Sequence, residues 1–198
     1  AAAGYPYETP RPLWSEQDPA HWWTATIASV REALGAAGIG GDAVDAVGLT
    51  GQMHGLVALD DADRVLRPAI LWNDQRTGEE CDLIRELVGR ERLIAITGND
   101  ALTGFTAPKL LWVRRHEPAA YERLATVLLA KDYIRYRLTG ALATGISIAA
   151  RSLRATRSCS STVAGHLCRA KIWSICAPMK AAPSQSFRNT FSNHRSKA

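Results

Sequence analysis

Two hydrophobic periods alternate along the first 144 residues and predict a mixture of helices and strands. Four stretches carry apolar residues at the 3.6-residue spacing of a helix: residues 19–34, 77–88, 106–116 and 131–138. Four shorter apolar runs are rich in β-forming residues and predict strands: residues 47–49, 56–59, 68–74 and 127–129. This alternation indicates an α/β sheet covered by helices.

The first predicted helix has a clear start signal. Asp18 is a favourable N-cap, and Pro19 suits the first helical position because its missing N–H is not needed there. Four apolar residues then share one helix face: Trp23, Ile27, Val30 and Leu34. We expect this stripe to be buried against a sheet or another helix.

The polar turn between the first two predicted strands has the strongest chemical character. Residues 51–55 read G-Q-M-H-G. The two glycines permit a positive φ or a close approach to a ligand, and an amide, a thioether and an imidazole lie between them. Such groups suit a polyhydroxylated molecule. A plain hairpin in which His54 bonds a nearby carbonyl explains the same residues equally well, so both interpretations stand at this point.

A second polar cluster follows the predicted strand at residues 68–74. Trp72, Asn73 and Asp74 come at its end, where α/β proteins commonly bind ligands. Further along, Thr106 is predicted to cap the helix at residues 106–116. Cys81 is most simply a small core residue.

Charge divides the chain into two parts. Residues 145–198 hold nine of the 24 basic residues and no acidic residue, whereas residues 1–144 hold the other 15 and all 19 acidic residues, a net charge of −4. The polar, weakly periodic composition after residue 144 predicts a basic tail that is largely disordered. We therefore predict a domain at residues 1–144 and a separate tail at residues 145–198.

The composition of the tail suggests two binding functions, to nucleic acid and to zinc. Clustered cations attract nucleic acids, but the basic residues here are scattered and aromatic residues are few, which argues against a nucleic-acid partner. A zinc site would have to use Cys159, His166, Cys168 and Cys176. Their spacing matches no recognised zinc motif, so we predict no metal site.

The remaining composition predicts a cytoplasmic chain. No run approaches the roughly 20 apolar residues of a membrane span, and the first 13 residues lack the pattern of a signal peptide. The cysteines show no C-x-x-C spacing and would stay reduced in that compartment.

Six segments resemble, in the same order, the FGGY family of carbohydrate kinases. They are residues 14–19, 48–56, 66–74, 96–99, 104–113 and 131–135. The resemblance covers residues 4–144. The G-Q-M-H-G turn is similar to that of the members that phosphorylate D-xylulose.

This resemblance implies part of an actin-like, ribonuclease-H-like N-terminal domain. It also implies an ATP- and Mg²⁺-dependent transfer of phosphate to D-xylulose or a similar ketose, giving D-xylulose 5-phosphate. Met53 and His54 match the pair that contacts the sugar, and Trp72 falls where related kinases hold an aromatic residue near the polyol. Asp74 and Asp132 are expected to be structural carboxylates.

The same resemblance implies that the phosphate machinery lies outside these 198 residues. A D-x-G-T/S-x-S hairpin, a catalytic aspartate and most of the adenine site have no counterpart in the sequence. We therefore expect a fragment without catalytic, nucleotide-binding or metal-binding residues that does not turn over alone and self-associates through exposed strand edges. The alternative is a non-catalytic sugar-binding or partner-binding remnant with a basic tail.

A shifted reading frame would explain why the family pattern ends near residue 150 in a stretch without acidic residues. Translation of the gene's other two frames beyond codon 150 tests this hypothesis. We expect the family's continuation in one of them, and its absence from both would exclude the hypothesis.

Overall fold

Helices and short strands form residues 1–144, the part of the chain that this computed structural model describes. In chain order the elements are β1 (Glu16–Gln17), α1 (Pro19–Ala37), a 3-10 turn (Gly41–Ala43), β2 (Val57–Leu59), β3 (Ala69–Ile70), α2 (Gly78–Val88), α3 (Arg90–Thr97), α4 (Thr106–His116), α5 (Pro118–Arg123), β4 (Thr126–Leu128) and α6 (Ala130–Thr139). No helix in this part of the chain is both long and apolar enough to cross a membrane. The predictions for residues 145–198 lie outside the described residues.

The four strands join through antiparallel pairs. β1 pairs with β3, and β2 pairs with β4. A single bridge between Leu56 and Ile70 links the two pairs, with the Leu56 amide donating to the Ile70 carbonyl at 2.9 Å. The strand order is therefore continuous from β1 through β3 and β2 to β4.

Each face of this sheet is covered by helices. Val57 and Leu59 point to one side and pack with Trp22 of α1 and Tyr133 of α6. Leu56 and its bridge partner Ile70 point to the other side, where they pack with Trp112 and Val113 of α4. Because neighbouring residues of a strand point to opposite faces, residues 56–59 supply both cores. The predicted α/β arrangement is confirmed.

The start of α1 that the sequence predicts is present in the structure. The Asp18 carboxylate accepts a hydrogen bond from the Ala20 amide at 2.8 Å, and Pro19 begins α1. Gly38 ends that helix with φ of 64°, and Gly140 ends α6 with φ of 69°. A left-handed residue after a helix favours glycine because a Cβ is disfavoured there.

The buried face of α1 differs from the predicted stripe. Trp22 and Ala25 are its buried hydrophobic residues, whereas Trp23 is only partly buried and Val30 is 46% exposed. The helix is rotated about its axis relative to the predicted stripe, so that Trp22 rather than Trp23 faces the core. The Trp22 ring packs in the core, and its indole N–H donates to the Gln17 side chain at 2.9 Å.

The predicted strand at residues 47–49 is wrong. This segment has no regular structure, and Val47 is 66% exposed. Both edges of β2 are already used, since β4 lies on one edge and the returning chain on the other, where Leu59 bridges Val65. β2, the predicted hairpin partner of residues 47–49, therefore has no free edge for them. Self-association through exposed strand edges stays a prediction.

A buried ion pair closes the segment after β3. Asp74 is fully buried, and its carboxylate lies 2.7 Å from the guanidinium of Arg76, which is also 2.7 Å from the Glu16 carboxylate. The guanidinium carbon of Arg76 lies 3.7 Å from the ring centre of Trp14 and 4.8 Å from that of Trp112. Charge pairing and aromatic stacking together compensate its desolvation.

We expect Asp74→Ala to lower the free energy of unfolding by about 3 kcal/mol, because it leaves a buried guanidinium short of a partner. Denaturant unfolding of the 198-residue chain measures this loss. The exposed Asp61 supplies the matched control, and Asp61→Ala should change stability by less than about 0.5 kcal/mol. Equal stability of the two variants would contradict a structural role for the pair.

Candidate functional site

The G-Q-M-H-G turn leads into β2 with an unusual backbone at His54. The φ angle of His54 is +56°, a left-handed value that is uncommon for a residue with a side chain. The glycines of the turn would permit such a value, but neither Gly51 nor Gly55 takes it. Gly51 instead permits close packing, since a Cβ at that position would lie 3.3 Å from the Lys131 Cβ.

Two side chains of α4 hold the carbonyl oxygen of His54. The Thr106 hydroxyl donates to it at 3.1 Å, and the Lys109 ammonium donates to it at 3.2 Å. Thr106 was predicted to cap α4, which is wrong, because Phe105 occupies the N-cap position. The Thr106 hydroxyl instead donates to a carbonyl oxygen 52 residues away in sequence.

The loop before α4 connects this turn to Trp72. Lys109 also donates to the carbonyl oxygen of Gly104. A Cβ on Gly104 would lie 2.7 Å from the Trp72 carbonyl oxygen, so the loop rests directly on the Trp72 backbone. The next residue, Phe105, packs its ring against the His54 imidazole with 4.6 Å between ring centres.

Burial sets the protonation of both basic groups. Lys109 is fully buried, and desolvation lowers its pKa to about 7, with the charge of Arg76 adding to this effect and that of Asp74 opposing it. Desolvation, and after it the Lys109 charge, also lowers the pKa of His54. The imidazole is therefore neutral at pH 7 and can both donate and accept a hydrogen bond.

A cleft of about 580 Å³ lies beside the turn, between α1 and α6. Trp72 lines it and is 53% exposed. Gln52 also lines it, and its side-chain amide lies 3.4 Å from the oxygen of Gln17. Met53 is 56% exposed, and neither it nor His54 belongs to the cleft lining.

The three residues predicted from the sequence, Met53, His54 and Trp72, thus lie near one another but do not line one common surface. Trp72 faces the cleft, Met53 faces solvent and His54 packs against Phe105. The group can offer hydrogen bonds, a thioether and an aromatic face. Within residues 1–144, no group of three or more His, Cys, Asp or Glu side chains could hold a metal ion.

Two acidic residues near the turn are engaged by neighbouring side chains. Asp74 pairs with Arg76, and Asp132 pairs with Lys131 while accepting a hydrogen bond from Thr144 at 2.6 Å. Both carboxylates are buried. Their surroundings agree with the structural roles that we expected for them.

Lys109 is the residue that the sequence interpretation missed. It stands in a helix whose apolar neighbours predicted only packing, and lysine is rarely buried. Its position as the fourth residue of α4, followed by Leu110, Leu111 and Trp112, was the available signal, because a cation beside an apolar run needs a polar partner. The identity of that partner could not be deduced locally.

Comparison with known proteins relates the chain to carbohydrate kinases. Residues 1–155 match the N-terminal domain of the FGGY family of carbohydrate kinases. The xylulose kinase of Escherichia coli K12 is 53% identical over 144 residues, covering 73% of this chain and 29% of that protein. The xylulose kinase of Bacillus subtilis 168 is 44% identical over 149 residues, covering 75% of this chain and 30% of that protein.

Solved structures agree with these matches. The crystal structure of the Rhodospirillum rubrum xylulose kinase superposes with a TM-score of 0.68 at 36% identity, covering 73% of this chain and 30% of that one. The Brucella ovis enzyme gives a TM-score of 0.64 at 47% identity, covering 68% and 28%. The expected actin-like sugar kinase fold is confirmed. The chain spans less than a third of the length of these relatives.

The lowered pKa of Lys109 predicts a pH-dependent stability. Between about pH 7 and 10.5 the unfolded chain carries the proton and the folded chain does not, so stability should rise with pH in this window. Lys109→Met should abolish that rise. The groups facing Lys109, namely His54, Asp74, Arg76 and Cys81, remain in both chains and cancel to first order.

Denaturant unfolding of the two chains at pH 7, 8, 9 and 10 measures the difference. We expect the wild-type chain to gain stability relative to Lys109→Met at each step. A difference that stays constant from pH 7 to 10 would show that Lys109 keeps an ordinary pKa.

Proposed function

The chain belongs to the FGGY family of carbohydrate kinases, and from this membership we propose that the whole protein uses ATP to phosphorylate D-xylulose, or a similar ketose, to the 5-phosphate. The 198-residue chain contributes part of the sugar-binding half. Alone, it transfers no phosphoryl group. A cytoplasmic location is part of the same proposal.

The G-Q-M-H-G turn is the observation that carries the proposal. Two side chains of α4 donate hydrogen bonds to its backbone at the His54 carbonyl oxygen. Within this fixed turn, Met53 is exposed and His54 is half-buried. In the proposed complex the neutral His54 imidazole bonds a sugar hydroxyl, and Met53 covers an apolar C–H face. Trp72 offers an indole face to the sugar from the neighbouring cleft.

ATP and Mg²⁺ are assigned to parts of the protein outside residues 1–144. The acidic residues beside the turn are paired with Arg76 and Lys131, and residues 1–144 contain no metal-binding cluster of His, Cys, Asp or Glu. These residues do not fit a nucleotide-bound Mg²⁺. The proposed role of residues 1–144 is to bind and orient the ketose.

Titration of the 198-residue chain with D-xylulose, followed by NMR chemical-shift changes, tests the sugar site. We expect saturable binding that His54→Ala and Met53→Ala each weaken by about tenfold, the effect of losing one well-placed contact. His116→Ala is the control, because that histidine stacks on Trp112 at the far end of α4.

An ADP-release assay with D-xylulose and MgATP tests the second half of the proposal. We expect no sugar-dependent ADP above background from the isolated chain. Turnover would overturn the proposed inactivity. Absence of any sugar binding would reject the sugar site and leave the partner-binding remnant.

A further inference from the structure

Lys109 joins the parts of the candidate site that lie far apart in sequence. Its ammonium bonds the carbonyl oxygens of His54 and Gly104. The described residues place no carboxylate in ion-pair contact with it, since Asp74 acts only through its longer-range charge. A fully buried amino group whose donors go to two backbone carbonyls connects two chain segments rather than neutralising an acid.

The backbone that Lys109 holds is strained. A left-handed backbone at a residue other than glycine is unfavourable and persists only where its surroundings impose it. At His54 those surroundings are the two donors on its carbonyl oxygen, from Thr106 and Lys109. The amide of the second residue after it, Leu56, is already tied to Ile70 in the sheet. The turn is therefore fixed from both sides.

The hydrogen bond from Lys109 to the Gly104 carbonyl oxygen positions Phe105, the ring that packs against His54. Gly104 is held by Lys109 on one side and rests on the Trp72 backbone on the other. Phe105 follows immediately and packs against the imidazole. One ammonium group thus determines both the backbone of His54 and the position of the ring beside it.

We propose that Lys109 is a positioning residue that fixes the direction in which Met53 and His54 meet the sugar. This inference rests on the proposed sugar-binding function. Lys109 touches no reacting atom and acts through the His54 and Gly104 carbonyl oxygens. Loss of its donors would let the 51–55 turn relax to an ordinary φ and rotate the imidazole away from Phe105.

Histidine-ring NMR of the 198-residue chain tests the positioning without any sugar. The His54 signal is assigned by its absence from a His54→Asn chain. In Lys109→Met we expect the His54 pKa to rise towards its ordinary value, and its ring protons to lose the shift caused by the Phe105 ring. Arg115→Met removes a cation from the same helix and should alter neither signal.

Sugar titration supplies the functional readout. Lys109→Met should weaken D-xylulose binding by at least about tenfold, as expected when contact groups are misplaced, and Arg115→Met should not. Unchanged His54 signals in Lys109→Met would overturn the inference. Altered signals in a chain whose wild type binds no D-xylulose would instead reject the proposed function and keep the positioning role.

Thr106→Val serves as the second variant, because it removes the other donor to the same His54 carbonyl and leaves the buried charge in place. If Lys109→Met does not fold, Thr106→Val tests the positioning role instead. A displaced His54 ring signal with weaker sugar binding supports positioning through that carbonyl, and an unchanged signal overturns it.

Discussion

The burial of Arg76 between two tryptophan rings is the interaction on which the described part of the molecule depends. Its guanidinium is neutralised by Asp74 and Glu16 and stacked on Trp14 and Trp112. These partners come from the chain around β1, from the segment after β3 and from α4. Because a buried cation tolerates no missing partner, the three segments are held in one arrangement.

That arrangement places α4 where it can reach the turn before β2. Trp112 anchors the helix beneath Arg76, and Lys109 lies about one turn earlier on the same helix, with its ammonium on the His54 carbonyl. The charge of Asp74 also acts on Lys109 and opposes its loss of the proton. The ion pair and the candidate sugar site are therefore connected both through α4 and through the charge of Asp74.

Strain and desolvation are concentrated at the same place. His54 holds a left-handed backbone, and Lys109 is buried with no carboxylate of residues 1–144 in ion-pair contact. Either feature alone would be unfavourable, and together they are compatible because the ammonium and the carbonyl satisfy each other. Sites that bind ligands often hold such strain, because an imposed geometry spares the cost of ordering the contact groups on binding.

The amino-acid sequence by itself determined the features that depend on neighbours within about one helical turn, and it carried the family motifs. Asp18 and Pro19 start α1, Gly38 and Gly140 end helices, and the G-Q-M-H-G turn identifies the segment proposed to meet the sugar. Only the tertiary structure decided that residues 47–49 form no strand, that Thr106 serves His54 and that Lys109 is buried. The physical reason is that hydrogen-bond partners and free strand edges belong to segments distant in sequence, so no local pattern can encode which of them will be available.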